Sequence, residues 1–207
     1  MNYLFDFDGT LVDSMPIWAG VHIEALKDAG ITVPENFVET ITPLVNYNAS
    51  KYTISLGLDI SLEDYLEVVS RKLYFEYTTN IGLKSNVKET LIRLRDSGNS
   101  LHVLTASPHL YVDECLERAG VSALFGYIWS IDDFGLTKAQ TEIYRAAAEW
   151  LHAPVEGCVM VDDNLTAITT AHLAGMKTIA VFDELSKASE AEMRKIADKY
   201  IYDFSEM

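Results

Sequence analysis

Residues 5–11, Phe5-Asp6-Phe7-Asp8-Gly9-Thr10-Leu11, form the stretch of sequence that decides the fold. The apolar run around Phe5 predicts a short strand that ends by presenting Asp6, and Asp8 points to the same side as the chain turns at Gly9. Two carboxylates this close together repel each other unless a cation or a shared proton compensates them. A hard dication with oxygen ligands is the natural partner, and Mg²⁺ is the usual one beside phosphate. Taken alone, the segment is as compatible with an acidic turn that closes a strand as with a metal site.

Apolar runs of strand length recur along the rest of the chain. They are Tyr3–Phe7, Leu101–Thr105, Tyr127–Ser130, Cys158–Val161 and Thr178–Phe182. Helical patterns separate the later runs. One helix is predicted between Ser85 and Gly98, and the others at Leu110–Gly120, Gln140–Leu151, Leu165–Gly175 and Lys187–Tyr200. Strands that alternate with helices predict an α/β fold with a doubly wound, Rossmann-like parallel sheet.

The gap between the first two predicted strands breaks this alternation. Roughly 95 residues separate them, which is far more than one crossover helix requires. The gap contains its own helical patterns, at Ile17–Ala29, Glu35–Val45, Ala49–Leu56 and Leu62–Tyr77. We therefore expect residues 15–81 to form a small α-helical domain inserted after the first strand, and residues 1–14 and 82–207 to form the Rossmann-like core.

Further polar residues follow the later predicted strands. Thr105 ends one strand, and the N–H of the small residue Ala106 behind it can approach an anion. Lys138 stands at the start of a predicted helix, where a cation is electrostatically disfavoured unless an anion is near. Asp162 and Asp163 end another buried strand, and a metal explains this acid pair better than stability does. Because ligands of open α/β sheets bind at the carboxyl ends of the strands, we expect these groups to converge with the first acid pair.

Composition narrows the class of partner. Acidic residues outnumber basic ones 31 to 16, and the formal net charge of −15 argues against a nucleic-acid partner. A small phosphorylated metabolite is compatible with this charge because a bound metal inverts the local field. Cys115 and Cys158 lie in apolar stretches, which predicts buried thiols in a reducing compartment. Asp6 and Asp8 interrupt the apolar N-terminus, and no run reaches the ~18 apolar residues of a membrane helix, so we expect a cytoplasmic protein without a membrane partner.

The order and local sequence of these motifs resemble the haloacid dehalogenase superfamily. The similarity is to its helical-cap members, of the phosphoglycolate phosphatase and β-phosphoglucomutase type. It implies that residues 15–81 are the α-helical cap domain and that residues 1–14 and 82–207 are the Rossmann-like catalytic core. Four family motifs are matched in order by residues 6–14 (DFDGTLVDS), Thr105, Lys138, and Asp162-Asp163 with residues 171–176 (AHLAGM). The resemblance covers the whole predicted core, including residues 197–204 (ADKYIYDF), but in the cap it is limited to position and helical character.

The resemblance implies a sheet ordered 5-4-1-2-3 and a phosphatase mechanism. Asp6 is expected to attack phosphorus and to become transiently phosphorylated. Asp8 is expected to protonate the leaving alcohol and then to deprotonate the attacking water. The implied cofactor is Mg²⁺, held by Asp6, the backbone carbonyl of Asp8 and Asp163, with Asp162 assisting.

The same resemblance implies a phosphate-binding set and shows two departures from the family pattern. Thr105, the N–H of Ala106, and Lys138 are expected to hold the phosphoryl oxygens as their charge changes. Ala139 stands where a proline commonly follows the motif-three lysine. Ala167 stands where many relatives carry a further acid. Neither departure removes an expected catalytic group.

Other chemistries on similar scaffolds are disfavoured by single residues. Haloalkanoate dehalogenases of the superfamily lack the second motif-one aspartate, whereas Asp8 is present here. Phosphonate hydrolases use a cap lysine, but neither Lys27 nor Lys51 lies in a recognisable match. Receiver domains phosphorylate an aspartate after the third strand, whereas here the DxDGT motif follows the first.

A sugar-phosphate mutase of the β-phosphoglucomutase type is the closest alternative to a phosphatase. Such mutases carry a cap histidine, whose position falls here on Trp18, with His22 one helical turn later. They also use a cap arginine, and none precedes Arg71. We therefore favour hydrolysis of a small phosphate monoester, and we expect Trp18 to line the substrate side of the closed site.

Overall fold

The computed structural model describes residues 1–42, 44 and 46–207 of the chain. These residues pack as two compact units. Met1–Asp13 and Ile81–Met207 together form the first, which we call the core unit, and Ser14–Asn80 form the second, which we call the inserted unit. Within the described residues, no helix combines the length and the apolar character that crossing a membrane requires.

The described residues of the inserted unit form four helices joined by turns and loops. Its helices are α1 (Met15–Asp28), α2 (Phe37–Ile41), α3 (Asn46–Ser55) and α4 (Leu62–Thr79). Pro16 lies in the first turn of α1, where its missing N–H costs nothing, and Ser61 caps α4 by accepting a hydrogen bond from the Asp64 N–H. Helix α2 is shorter than the predicted Glu35–Val45, of which Pro43 and Val45 lie outside the described residues.

The core unit is built on a parallel sheet of six described strands. They are β1 (Asn2–Phe5), β2 (Ser100–Thr105), β3 (Tyr127–Ser130), β4 (Cys158–Asp162), β5 (Lys177–Val181) and β6 (Lys199–Ile201). Their order is β3-β2-β1-β4-β5-β6, so β1 is central and pairs in parallel with β2 and β4. The predicted α/β class and the predicted order of the first five strands are confirmed, and β6 extends the sheet by one strand.

Helices of the core unit cover both faces of this sheet. They are α5 (Val87–Asp96), α6 (His109–Arg118), α7 (Thr141–Trp150), α8 (Leu165–Ala174) and α9 (Glu190–Ile196). Leu4 of β1 packs on one face with Ile143 of α7, while its neighbour Phe5 points to the other face, against Phe204 with ring centroids 6.3 Å apart. Because both side chains are fully buried, the strand that leads to Asp6 is held from both sides.

The C-terminal segment departs from the prediction. The helix predicted for Lys187–Tyr200 ends at Ile196, and strand β6 follows it. Asp198 accepts a hydrogen bond from the Thr178 N–H at 2.7 Å, and the Phe182 N–H donates to the Ile201 carbonyl at 2.8 Å. These long-range bonds fix the chain as an edge strand. A strand of three residues is too short for its alternation to show in the sequence.

His102 of β2 is a buried polar residue in an aromatic environment. Its ring stacks on Tyr127 and Trp129, with centroids 5.6 and 5.8 Å away. Among the described residues neither ring nitrogen has a hydrogen-bond partner, and burial lowers the pKa of His102 to about 4. The imidazole is therefore neutral at pH 7, and its two nitrogens are desolvated without compensation.

Replacing His102 with phenylalanine is expected to stabilise the protein. The phenyl ring fills a similar volume and leaves no nitrogen unpaired, so we expect the free energy of unfolding at pH 7.5 to rise by about 1–3 kcal/mol. The gain should increase as the pH falls below 6.5 towards 4, because the unfolded histidine binds a proton there and the folded one does not. Urea unfolding of both proteins at pH 7.5 and pH 5 measures the effect. A His102→Phe variant with lower stability at both pH values contradicts the explanation.

Candidate active site

Three carboxylates converge where β1 and β4 end. Asp6 directly follows β1, and its N–H donates to the Val161 carbonyl at 2.8 Å, while Asp162 is the last residue of β4 and Asp163 follows it. Each of the three offers an oxygen within 4.8 Å of the others, and all three side chains are buried. The parallel pairing of β1 with β4 is therefore what brings together two motifs separated by more than 150 positions in the chain.

Lys138 lies against the same carboxylates. Its Nζ donates to Asp6 Oδ1 at 2.5 Å and to Asp162 Oδ2 at 2.9 Å. The Tyr144 hydroxyl donates to the Lys138 carbonyl at 2.9 Å and so fixes the backbone from which the lysine extends. Burial by itself lowers the pKa of Lys138, but the negative charges of Asp162 and Asp6 outweigh it and raise the pKa overall. The ammonium group thus stays charged beside Asp6.

The acid pair at the end of β4 resists ionisation. Burial raises the pKa of Asp162 to about 6; Lys138 opposes this rise and Asp6 adds to it. Burial likewise raises the pKa of Asp163 well above its usual range, with the charges of Asp162 and Asp6 adding to the effect. One cation does not compensate three carboxylates, so the cluster needs either protons or a further positive charge. An all-oxygen, carboxylate-rich donor set fits a hard cation such as Mg²⁺, and the triad can hold such an ion.

The turn after β1 is shaped around Asp163. The Thr10 hydroxyl donates to Asp163 Oδ1 at 3.0 Å. Gly9 has φ +73°, and a Cβ at this position would lie 2.7 Å from Asp163 Oδ2. Only glycine therefore combines this backbone conformation with so close an approach to the carboxylate.

Asp8 and Thr105 are connected through a residue that the sequence did not single out. The Ser107 hydroxyl donates to Asp8 Oδ2, and the Ser107 N–H donates to Thr105 Oγ1 at 3.0 Å. Thr105 and Ser107 are buried, whereas Ala106 between them is exposed at the end of β2. The signal for Ser107 was its place two residues after the strand-end threonine, which returns its side chain to the same side.

Two more residues border the cluster without having been predicted. Lys84 donates to the carbonyl of Gly9 and, at 2.8 Å, to Asp183 Oδ2. Asp183 is buried and follows the end of β5. Its position therefore matches that of the other acids, which were predicted because they end or follow a buried strand. Lys84 precedes a helix in a stretch without periodicity, and no sequence signal marked it.

Trp18 lies in α1 of the inserted unit. It is half-buried, and its indole N–H donates to the Tyr77 hydroxyl at 2.8 Å. Its expected role on the substrate side of a closed site stays a prediction. His22, one turn later, is buried and lies 3.0 Å from the Tyr65 hydroxyl and 3.1 Å from Thr53 Oγ1 through Nδ1. Burial lowers the pKa of His22 to about 4, so the side chain is a neutral part of the helical packing at pH 7.

Comparison with known proteins identifies the family. A family model described as haloacid dehalogenase-like hydrolase matches residues 3–181. The chain is 27% identical over 195 residues to Protein SUPPRESSOR OF QUENCHING 1, chloroplastic, from Arabidopsis thaliana; the match covers 89% of the chain but spans only 18% of that protein's length. It is 28% identical over 181 residues to a phosphoglycolate phosphatase of Vibrio cholerae, covering 83% of this chain and 79% of that protein.

A solved structure supports the fold assignment. CbbY from Rhodobacter sphaeroides, in complex with xylulose-(1,5)bisphosphate, superimposes with a TM-score of 0.80 at 21% identity. The match covers 99% of this chain and 95% of that one, and at this identity it shows a shared fold. Because the family model spans most of the sequence, including all the motifs at the strand ends, the chain belongs to the family of haloacid dehalogenase-like hydrolases and is an enzyme of that family.

Proposed function

We propose that the protein is a Mg²⁺-dependent phosphatase that hydrolyses a small phosphate monoester through an aspartyl phosphate on Asp6. The observation that carries the proposal is the placement of the Asp6 carboxylate, 2.5 Å from Lys138 Nζ and beside the Asp162-Asp163 pair. A nucleophilic carboxylate that approaches a phosphate dianion needs positive charge beside it; Lys138 supplies one such charge, and a cation held by the acid pair would add to it. Family membership and a relative named phosphoglycolate phosphatase support the same chemistry.

The metal site of this proposal consists of side chains already in contact range. Asp6, Asp162 and Asp163 are the candidate ligands, since each offers an oxygen within 4.8 Å of the others. The resemblance to the family adds the backbone carbonyl of Asp8 as a further proposed ligand. Bound Mg²⁺ supplies positive charge that offsets the repulsion between the carboxylates and an incoming phosphate. The Thr10 hydroxyl, 3.0 Å from Asp163 Oδ1, keeps that carboxylate oriented.

The reaction divides into two displacements at phosphorus. In the first, an Asp6 oxygen bonds to phosphorus, the bond from phosphorus to the leaving oxygen breaks, and Asp8 gives its proton to the departing alkoxide. In the second, Asp8 takes a proton from water, the water oxygen attacks phosphorus, and the bond to Asp6 breaks to release phosphate. Ser107 holds Asp8 by its hydroxyl, which orients the acid between the two steps. Lys138, Thr105 and the N–H of Ala106 bind the phosphoryl oxygens.

The mutase alternative requires a cap histidine and an anion-binding arginine. His22 is the histidine closest in sequence to the expected position at Trp18. It is buried, however, and its Nδ1 faces Tyr65 and Thr53 within the inserted unit. Arg71 is exposed on α4. The buried position of His22 favours hydrolysis over transfer of the phosphoryl group between positions of one sugar.

A small phosphorylated metabolite is the substrate class that we propose. The net charge of −15 disfavours a nucleic acid. Phosphoglycolate is the first compound to test because relatives carry its name. Cys115 and Cys158 are buried and free, which supports a reducing compartment such as the cytoplasm.

Removal of the metal is expected to stop turnover. Protein treated with EDTA should release no phosphate from p-nitrophenyl phosphate or phosphoglycolate above a blank, and added Mg²⁺ should restore release. The same addition should raise the melting temperature, because an ion that binds only the folded state stabilises it. Equal turnover with EDTA and with Mg²⁺ contradicts the proposal. Isomerisation of a sugar bisphosphate without free phosphate identifies the mutase instead.

A further inference from the structure

Lys84 is a charged residue of the core unit that has no place in the mechanism described above. Its Nζ donates to the Gly9 carbonyl, to the Phe182 carbonyl at 3.1 Å and to Asp183 Oδ2 at 2.8 Å. An ammonium group has three donors, so all of them are accounted for. The side chains of Lys84 and Asp183 are only 18% and 6% exposed, so this ion pair is largely withdrawn from water.

The backbone of Lys84 is attached to the same turn as its side chain. The Lys84 N–H donates to the Leu11 carbonyl at 2.9 Å, and the Asp13 N–H donates to the Gly82 carbonyl at 3.2 Å. Residues 82–84 therefore run beside residues 11–13 as a short antiparallel pair. Lys84 thus holds the turn after β1 at two points. Its main-chain N–H donates to the Leu11 carbonyl, and its ammonium group donates to the Gly9 carbonyl.

The Gly9 peptide, whose carbonyl accepts a hydrogen bond from Lys84, lies between two residues of the candidate site. Gly9 separates Asp8 from Thr10, whose hydroxyl donates to Asp163 Oδ1 at 3.0 Å. The Gly9 Cα passes so close to Asp163 that a Cβ would lie 2.7 Å from its Oδ2. A shift of this peptide by a few tenths of an ångström would therefore move the hydroxyl that orients Asp163.

We propose that Lys84 is a positioning residue for the metal site. It fixes the Gly9 carbonyl and so sets the separation between Asp163 and the carboxylate of Asp6. This role rests on the proposed function only in assigning the metal to these carboxylates. Asp183 completes the arrangement, because it compensates the lysine charge and is itself held by the Leu185 N–H, which donates to Asp183 Oδ1 at 3.0 Å.

Simple electrostatics predicts the opposite effect of removing Lys84. If the lysine acted only as a positive charge near an acidic cluster, its loss would strengthen the binding of a dication. If it positions the turn, its loss weakens binding, as happens when partners of metal ligands are removed. The sign of the change in Mg²⁺ affinity therefore separates the two roles.

The test measures Mg²⁺ affinity by calorimetric titration of EDTA-treated protein with MgCl₂ alone. We expect the dissociation constant to increase about tenfold in Lys84→Met, with a smaller increase in Lys84→Gln, which keeps a donor. Lys88→Met is the matched control, since Lys88 is exposed and its Nζ donates to the Ala119 carbonyl at 3.2 Å; its affinity should match the wild type. Circular dichroism and melting curves establish which variants are folded, and Lys84→Gln carries the test if Lys84→Met is not.

A second readout does not depend on the metal. Hydrogen–deuterium exchange of a peptide spanning residues 7–12, in metal-free protein, should be faster in Lys84→Met than in Lys88→Met, because the turn has lost its tether. Unchanged or tighter Mg²⁺ binding in a folded Lys84 variant overturns the positioning role. If the wild type binds no Mg²⁺, the proposed function fails, and unchanged exchange of residues 7–12 then overturns the positioning role separately.

Discussion

Asp6→Asn is expected to lower kcat for phosphate release by at least about 10⁴-fold, the scale seen when a covalent nucleophile is removed. An amide nitrogen or oxygen does not form the acyl phosphate, so the first displacement has no nucleophile. The change also removes one of the two carboxylates that Lys138 contacts. Loss of the first displacement and loss of the Asp6 charge both lower kcat.

The Asp6→Asn variant should nevertheless be folded. The substitution removes one negative charge from a cluster in which burial and mutual repulsion already raise the pKa values of Asp162 and Asp163. We therefore expect the melting temperature of the metal-free protein to be unchanged or higher. Steady-state assays with p-nitrophenyl phosphate at saturating Mg²⁺ measure the effect, with Asp96→Asn as a control at an exposed position of α5. Activity within tenfold of the wild type would show that another residue is the nucleophile.

Lys138→Met is expected to have the second-largest effect, on both stability and rate. Removing the cation leaves Asp6 and Asp162 buried without the partner that lies 2.5 and 2.9 Å away. Breaking a buried ion pair in this way costs about 3–5 kcal/mol. Protonation of Asp162, whose pKa is already about 6, relieves part of the cost, so the destabilisation should be smaller at pH 5 than at pH 8.

The loss of rate in Lys138→Met reflects the transition state. The ammonium group no longer stabilises the phosphoryl oxygens, and we expect kcat at saturating Mg²⁺ to fall about 10²–10³-fold. Urea unfolding at the two pH values and steady-state kinetics measure the two effects. Lys177→Met, at the exposed first residue of β5, is the control. A stable Lys138→Met variant with wild-type kcat would place Lys138 outside the site.

The parts of the fold that the sequence predicted are those set by simple periodicity. Buried parallel strands such as β2 and β4 appear as continuous apolar runs, and the parallel sheet, the family and the assignment as an enzyme are confirmed. Strand β6 was missed because three residues show no alternation, and the long-range contacts of Asp198 and Ile201 decide its conformation. The helix ends earlier than predicted because long-range hydrogen bonds, which a local sequence pattern does not reveal, hold the residues after it as a strand.

The residues of the candidate site likewise fall into those that the sequence predicted and those that it did not. Asp6, Asp162 and Asp163 were predictable because each ends or follows a buried strand, and parallel pairing places such positions together. Lys138 was marked by its unfavourable place at a helix start. Lys84 carried no signal, since what makes it distinctive is which carbonyls its ammonium group reaches. The chemical roles of all these residues stay predictions until the variants are measured.

The hydrogen bond between the Asp13 N–H and the Gly82 carbonyl has a consequence for how such enzymes diversify. The chain leaves the core unit and returns to it at neighbouring points of one short strand pair. Because the two ends are already held together, the entropy of closing a loop between them depends only weakly on the length of what lies between. The pairing of residues 11–13 with residues 82–84 thus provides a fixed attachment point for inserted segments of different length. A segment of different length or fold can therefore replace residues 14–80 without changing the strand pair that holds its two ends.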